Sequence, residues 1–424
     1  MSVATGGNLA KNAHSTTASE TKQGWWHQPK TVWAVAFAAT VSFMGIGLVD
    51  PILPAITKEL NATQVEASML FTSYLLITAI AMFFTSWVSG RLGARNTLLL
   101  ALGVIVVFSL ASGLAGSVPW IIAFRAFWGL GNALFLSTAL ATIVSEARNA
   151  DGAIILYEAA LGLGLAIGPL VGGVLGSISW RAPFIGTSVL MAIASAALAV
   201  MIKSGDVARK HVSPLAAFRA LRNPSLLSFG LIAFFYNMGF FVILAWTPFP
   251  LGFGAMGIGL TFFGWGTALA ITSVFGAPAL TKHFKRTTVI GWGLAALLAC
   301  LVACAAVVEN VPALIVMMIV SGMVLGIMNT VLTESSMEST DLPRPVASSA
   351  YSGIRFLGGA IAPPIASALA KSFGFEGAPY IFAAAALAVA LVLFFALRSP
   401  LSAANHAAPE TELERAEALI GDAA

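Results

Sequence analysis

Charge is what this chain has least of. Of its 424 residues only 9% are Asp, Glu, Lys or Arg, against about a quarter in an ordinary soluble domain, and this excludes a water-soluble globular fold. Cysteine is nearly absent: Cys300 and Cys304 are the only two. Their spacing of four stacks them along one helix face, so no disulfide framework is expected. Histidine occurs five times, at 14, 27, 211, 283 and 406, always outside the apolar runs and never at metal-ligand spacing. No paired acids and no nucleophile–base set stand out, and the Gly129–Gly131 GLG follows a helix rather than a strand, so it is no dinucleotide loop. No metal, no cofactor and no enzymatic chemistry are expected. The net charge of +4 is scattered between apolar runs, and no segment outside them is long enough to form a nucleic-acid-binding face.

Hydrophobic residues make up 58% of the chain and mean hydropathy is +0.90. Apolar segments of spanning length fall near 33–55, 68–88, 97–117, 119–143, 154–177, 183–203, 226–249, 258–281, 288–308, 312–333, 346–370 and 379–397. The chain therefore reads as an all-α membrane protein of twelve spans. Residues 1–30 and 399–424 are polar tails, expected to be disordered, and 204–225 reads as a linker between six spans (31–203) and six more (226–398). With the amino terminus in the cytoplasm, seventeen Lys and Arg fall inside and three (Lys58, Arg181, Lys371) outside. Basic loops resist translocation, so both termini are expected to be cytoplasmic. The halves echo one another at an offset of about 190–196 residues, as duplicated transporter halves do: Ala166-Ile167-Gly168-Pro169 against Ala360-Ile361-Ala362-Pro363, and Pro54 against Pro250.

The stretch Gly164–Gly176, GLAIGPLVGGVLG, would make a poor helix in water, because interior Gly and Pro both destabilise helices. In a bilayer it stays helical, and Gly164, Gly168, Gly172 and Gly176 then line one face on which another helix can come to backbone contact, with Gly173 widening it. With Pro169 and the Gly172–Gly173 pair, the segment resembles GxxxGPxxGG, the fifth-helix motif of drug:proton antiporters of the major facilitator superfamily.

Of the charges inside spans, each costing about 2.5–3.5 kcal/mol on insertion scales, three stand out: Asp50, Arg125 and Glu158. Asp50, in GIGLVDPILP, sits about one turn from the outer end of span one, and Arg125 about two turns below the outer end of span four. Their depths agree, so the pair is either a permanent lock between two helices or a proton carrier whose carboxyl takes a proton when Arg125 moves away. Glu158, a little over one turn into span five, is open to three readings: a helix-start cap, a partner for Arg91 or Arg95, or a second proton site. Arg355 in span eleven is open to anionic substrate groups or to a bond with span two.

The same resemblance extends to these residues. IIAFRAFWGLGNA, with Arg125, Gly129 and Gly131, is similar to the family's fourth-helix motif, whose Arg is associated with proton transfer, and LVDPILP resembles its first-helix motif. The loop SWVSGRLGARNTLLL resembles the cytoplasmic GxLaDRxGrr motif in Arg91, Gly93 and Arg95, but Gly90 stands where the Asp belongs and Ser86 where the first Gly does. The usual charge latch is thereby in doubt, with Glu146 or Glu158 as substitute anions.

Span seven, FFYNMGFFVILAW, carries aromatics and two polar handles, so Tyr236, Asn237, Phe240 and Trp246, with Arg355, are candidates for a cavity that holds flat, apolar or cationic guests. The resemblance implies two six-helix bundles related by a pseudo-twofold axis, in a monomer of the bacterial plasma membrane, surrounded by lipid, that exports hydrophobic or aromatic small molecules in exchange for protons. The rival expectation is a proton-coupled importer of organic acids or sugars.

Overall fold

The computed structural model describes residues 28–147, 150–202, 213–342 and 344–402. The expected tails, apart from 28–30 and 399–402, and the first part of the expected linker, 203–212, lie outside the described residues.

Twelve long helices follow one another: α1 Lys30–Gly47, α2 Gln64–Leu92, α3 Ala94–Leu114, α4 Val118–Glu146, α5 Ala150–Gly176, α6 Ala182–Met201, α7 Pro224–Trp246, α8 Ala255–Ile271, α9 Arg286–Ala306, α10 Val311–Glu338, α11 Arg344–Phe373 and α12 Ala378–Ala396. Among the described residues, eleven stretches are long and apolar enough to cross a membrane, and α5 adds the shorter apolar stretch Ala160–Gly176. A chain this apolar must satisfy its backbone within each segment, and helices do that. The helices alternate in direction, so the starts of α1 and α7 and the ends of α6 and α12 share one face, here called the tail side. Thr31 Oγ1 donates to Met201 O across 3.4 Å at that face.

Prolines and caps set the boundaries that apolar runs leave vague. The first segment is not one straight helix: α1 ends at Gly47, a 3-10 turn covers Asp50–Ile52, and a short helix runs Leu53–Glu59. Pro51 and Pro54 have no N–H to donate to the preceding turn, which is why the helix breaks there. α2 begins four residues before its apolar run, because Thr63 and Glu66 form a reciprocal capping box (Glu66 N to Thr63 Oγ1 3.1 Å, Thr63 N to Glu66 Oε2 2.7 Å). α7 opens on Asn223, whose Oδ1 accepts from Ser225 N at 3.0 Å and Leu226 N at 3.1 Å. Asn223→Ala should therefore lower stability by about 1 kcal/mol, read as an earlier thermal unfolding midpoint in detergent with transport retained.

The eighth apolar segment is interrupted too. After α8 a π turn spans Thr272–Gly276 before a short helix, Ala277–His283. Pro278 lacks the N–H that would close the preceding turn. Thr272 Oγ1 lies 2.9 Å from Ala268 O and 2.8 Å from Met323 O, tying the widened turn to α10.

The first six long helices pack among themselves through α2–α4, α3–α4, α1–α5 and α3–α6, and the last six through α7–α11, α9–α12, α7–α12 and α8–α10. The two groups meet along two seams, α2 with α11 and α5 with α8. Glycine makes both the α1–α5 crossing and the α5–α8 seam. A Cβ on Gly164 would stand 2.5 Å from Thr40 O, one on Gly168 would stand 2.6 Å from Met44 O, and one on Gly172 would strike Leu48 O, so α5 lies on the backbone of α1 at every fourth residue of each. Gly173 does not widen that face, contrary to the expectation from spacing. It opens a second one, toward α8, where a Cβ would stand 2.7 Å from Ala255 O and 3.0 Å from Gly259 Cα, while Gly259 itself faces Pro169 O at 2.6 Å. A double glycine places neighbours about 100° apart around the helix, and so serves two partners.

Candidate functional site

Asp50 sits in the 3-10 turn with no exposed surface, and neither carboxyl oxygen has a hydrogen-bond partner. The break in α1 folds it back against the α1–α5 crossing: a Cβ on Gly47 would stand 3.0 Å from Pro169 Cγ and 3.6 Å from Asp50 Oδ2. Arg125 of α4 is the opposing charge that acts on it, and it is equally buried. The guanidinium is held by other means. Its Nε donates to Leu70 O at 2.9 Å, and its carbon lies 4.7 Å from the centre of the Tyr74 ring and 4.9 Å from that of Trp128. Among the described residues, the terminal nitrogens of Arg125, both oxygens of Asp50 and the Tyr74 hydroxyl have no hydrogen-bond partner. Acid and guanidinium are thus both buried and act on each other as charges without a hydrogen bond between them.

Gly129 and Gly131 let α4 pack close to α2 and α3. Thr78 Oγ1 donates to Gly129 O at 3.0 Å, and a Cβ on Gly131 would stand 2.9 Å from Ala101 O. Nearby, Ser42 on α1 bonds Asn132 on α4. Glu158 is on α5, but its side chain lies outside the described residues.

At the tail side the basic loop is occupied with backbone. Arg95 donates from Nε to Ile202 O (2.8 Å) and from Nη2 to Ala199 O (3.1 Å), closing the end of α6, while Arg91 lies over the Trp87 ring at 4.5 Å. Gly93 turns between α2 and α3 at φ 78°. The α2–α11 seam is joined here by Thr85 and Ser349, 3.3 Å apart, and beside it the Phe83 ring of α2 stacks on Phe218 of the short helix Ala216–Ala220 with centroids 4.4 Å apart.

A cavity of about 130 Å³ lies between the two groups, reaching from mid-depth toward the tail side. One wall is Phe43 and Ile46 of α1, Met82 of α2, Leu136 and Leu140 of α4, and Leu161 and Leu165 of α5, with Ser137 and Tyr157 as its polar members. The other carries Phe240, Phe241 and Leu269, then a polar strip on α10 and α11: Asn329, Thr333, Ser348, Ser352 and Arg355. Drug-sized ligands occupy about 300–1,000 Å³, so the groups must part to admit one.

Of the aromatic-helix candidates, Phe240 and Arg355 line this cavity and the others do not. The Tyr236 hydroxyl donates to Leu325 O at 3.0 Å, and Asn237 is engaged with Arg355, donating to its carbonyl at 2.9 Å and accepting from its Nε at 3.3 Å. Trp246 belongs to a second hollow at the opposite face, with Gln64, Lys371 and Phe375, and its Nε1 donates to Glu376 O at 2.9 Å. Buried hydroxyl and indole donors need acceptors, and here neighbouring helices and loops supply them. Asn329, Thr333, Ser348 and Ser352 escaped the sequence reading, although 329/333 and 348/352/355 repeat at helical spacing.

Two sets of six membrane-length helices with a cavity between them, and a buried acid and guanidinium in the first set, are the architecture of a membrane transporter. The chain belongs to the major facilitator superfamily: the family description matches residues 35–342 and again 250–422. It is a multi-pass membrane transport protein with the major facilitator fold and not an enzyme. Multidrug efflux protein YfmO of Bacillus subtilis (strain 168) is 49% identical to it over 359 residues, 84% of this chain and 91% of that protein. The Tetracenomycin C resistance and export protein of Streptomyces glaucescens is 30% identical over 182 residues, 40% of this chain and 34% of that protein. Among solved structures, a bacterial homologue of the human lysosomal transporter Spinster, inward-facing and unoccupied, has the same fold with a TM-score of 0.69 at 15% identity, covering 88% of this chain and 96% of that one.

Proposed function

We propose that the protein exports hydrophobic, aromatic small molecules from the cell in exchange for protons. The observation that carries this reading is the burial of Asp50 and Arg125 as opposing charges without a hydrogen bond between them. A carboxylate that meets a guanidinium keeps its charge, and one parted from it in a dry interior takes a proton. Protonation from outside releases Asp50 from Arg125 and biases the bundles toward the inward-facing state. Deprotonation to the inside is exchanged for substrate taken from the cytoplasm or inner leaflet. The names of the relatives, multidrug efflux and tetracenomycin C resistance and export, support the outward direction.

In this reading residues 31–203 and 226–398 are the two moving bodies and 204–225 is the cytoplasmic linker. The protein acts as a monomer in the plasma membrane of a bacterium, in contact with lipid, with both termini inside. The tail-side cavity is then the inward-facing pocket, and Arg91, Gly93 and Arg95 stand at its cytoplasmic margin, with Glu158 a second proton site. Of the glycine motif, Pro169 and Gly173 lie on the α5–α8 seam along which the bundles rock, while Gly164, Gly168 and Gly172 hold α5 to α1 within the first bundle. One proton crossing 100 mV supplies about 2.3 kcal/mol, enough for a concentration ratio of order tens.

The test uses inside-out vesicles with an acid-loaded lumen. Adding N-phenyl-1-naphthylamine, a neutral aromatic, is expected to release luminal protons only when the protein is present, and nigericin should abolish the signal. Probe-driven proton movement in right-side-out vesicles alone would favour the importer and reject export.

A further inference from the structure

The cavity has a charge sign. Among the described residues that line it, Arg355 is the one charged group, with no Asp or Glu beside it. The guanidinium is placed, not loose: Asn237 accepts from Nε at 3.3 Å and donates back to the Arg355 carbonyl at 2.9 Å, which orients the head group on α11. Arg355 takes part in no ion pair with a described residue; the ion pairs formed there are those of Arg286 with Glu334 and Glu338, at the tail-side ends of α9 and α10. Along one face of α11, Ser348 and Ser352 precede Arg355 by seven and three residues, so two hydroxyls and a guanidinium run down a single line of the cavity wall. On α10, in the same polar strip, Asn329 is buried and lines the same space, and its Oδ1 has no hydrogen-bond partner among the described residues.

An uncompensated cation in a low-dielectric pocket attracts anions and repels cations, and a planar guanidinium holds carboxylate or sulfonate oxygens in pairs. The facing wall from α1, α2, α4 and α5 is almost wholly apolar. We infer that the transported class is aromatic monoanions, flat hydrophobic acids whose charged end sits on Arg355 and whose ring lies against the α4–α5 wall. Cationic aromatics are disfavoured. Asn329 receives a hydroxyl or N–H from the far end of the ring, so hydroxylated aromatic acids are the better members. This rests on the export reading above and narrows it.

Two permanently charged probes with the same ring system decide it: naphthalene-2-sulfonate and 2-naphthyltrimethylammonium, compared in the acid-loaded inside-out vesicles with N-phenyl-1-naphthylamine as the neutral reference. The full-length protein is expected to release protons at least tenfold faster with the sulfonate than with the ammonium. Arg355→Gln should bring the sulfonate rate, taken relative to the neutral reference in the same vesicles, down to that of the ammonium, and Arg355→Lys should keep part of the preference. An Arg355 that merely braces α7 against α11 would slow all three probes alike. Equal rates for the two ions, or faster movement of the ammonium, in the unmutated protein overturn the inference whether or not the variants fold. If the neutral reference works and the sulfonate does not, the anion assignment fails and export stands; if no probe releases protons, export itself fails. As a second arm, 6-hydroxynaphthalene-2-sulfonate should outpace the unsubstituted sulfonate severalfold, an advantage that Asn329→Leu removes.

Discussion

Asp50→Asn is expected to reduce proton-driven extrusion to background while leaving the protein folded and able to exchange substrate across the membrane without a proton gradient. The substitution keeps the shape of the side chain and removes its ability to release a proton. Folding should survive because Arg125 does not lean on the carboxyl: its Nε is bonded to Leu70 O and its guanidinium lies against the rings of Tyr74 and Trp128. The reciprocal change is different in kind. Arg125→Met strips away the cation that the rings and the Leu70 carbonyl were arranged around and leaves Asp50 with no opposing charge, a loss of about 1–3 kcal/mol for buried groups deprived of their partner. It should lower the unfolding temperature as well as transport, and combining it with Asp50→Asn should recover stability without recovering coupling. Gradient-driven transport by purified Asp50→Asn protein would reject the assignment of the carboxyl as the proton carrier.

Gly173→Leu and Gly259→Leu are the second pair expected to have large effects. Each would push a side chain into the α5–α8 seam, where even a Cβ meets Ala255 O at 2.7 Å or Pro169 O at 2.6 Å. Overpacking of this order costs about 1–3 kcal/mol, which moves a two-state balance by roughly 5- to 150-fold. Because this seam joins the two groups of helices at the face opposite the tails, the cost falls on the arrangement in which that face is closed. The variants should fold, transport at least several-fold more slowly, and show a longer distance between spin labels at Ser177 and Gly254 than the parent does. Gly103→Leu is the control, since a Cβ there meets nothing within 4 Å. An unchanged label distance in Gly173→Leu would mean that the seam does not close and open.

These two predictions differ in how far the sequence alone could have led to them. The depth of Asp50 and Arg125 followed from counting helical rise inward from the ends of two apolar runs, since nothing but a helix can occupy such a run. The glycine face of α5 followed from spacing as well, but spacing cannot say how many neighbours a helix has, and Gly173 was assigned to the wrong face for that reason. The break after Gly47 was signalled by Pro51 and Pro54; that it would turn the carboxyl back onto Pro169 was not, because the direction of a chain after a proline depends on what it packs against. The aromatic run of α7 misled most. Tyr236, Asn237 and Trp246 looked like polar handles for a ligand, and they are bound instead to Leu325, Arg355 and Glu376. The polar strip on α10 and α11 stayed hidden for the converse reason. Hydroxyls inside spans commonly bond the carbonyl one turn back, as Ser336 does to Thr333 O, and composition does not distinguish those from hydroxyls that look into a cavity.

The π turn at Thr272–Gly276 bears on how such a molecule can move at all. The part of α8 before it is clamped to α5 through Gly259 and Gly266, whereas the part after it, Ala277–His283, approaches the tail side beyond those glycines. The wider turn rotates the faces of the far rod relative to those of the near one, and Thr272 and Ser273 fasten the junction to α10. Any rocking of the two groups would therefore carry α10 along with that junction.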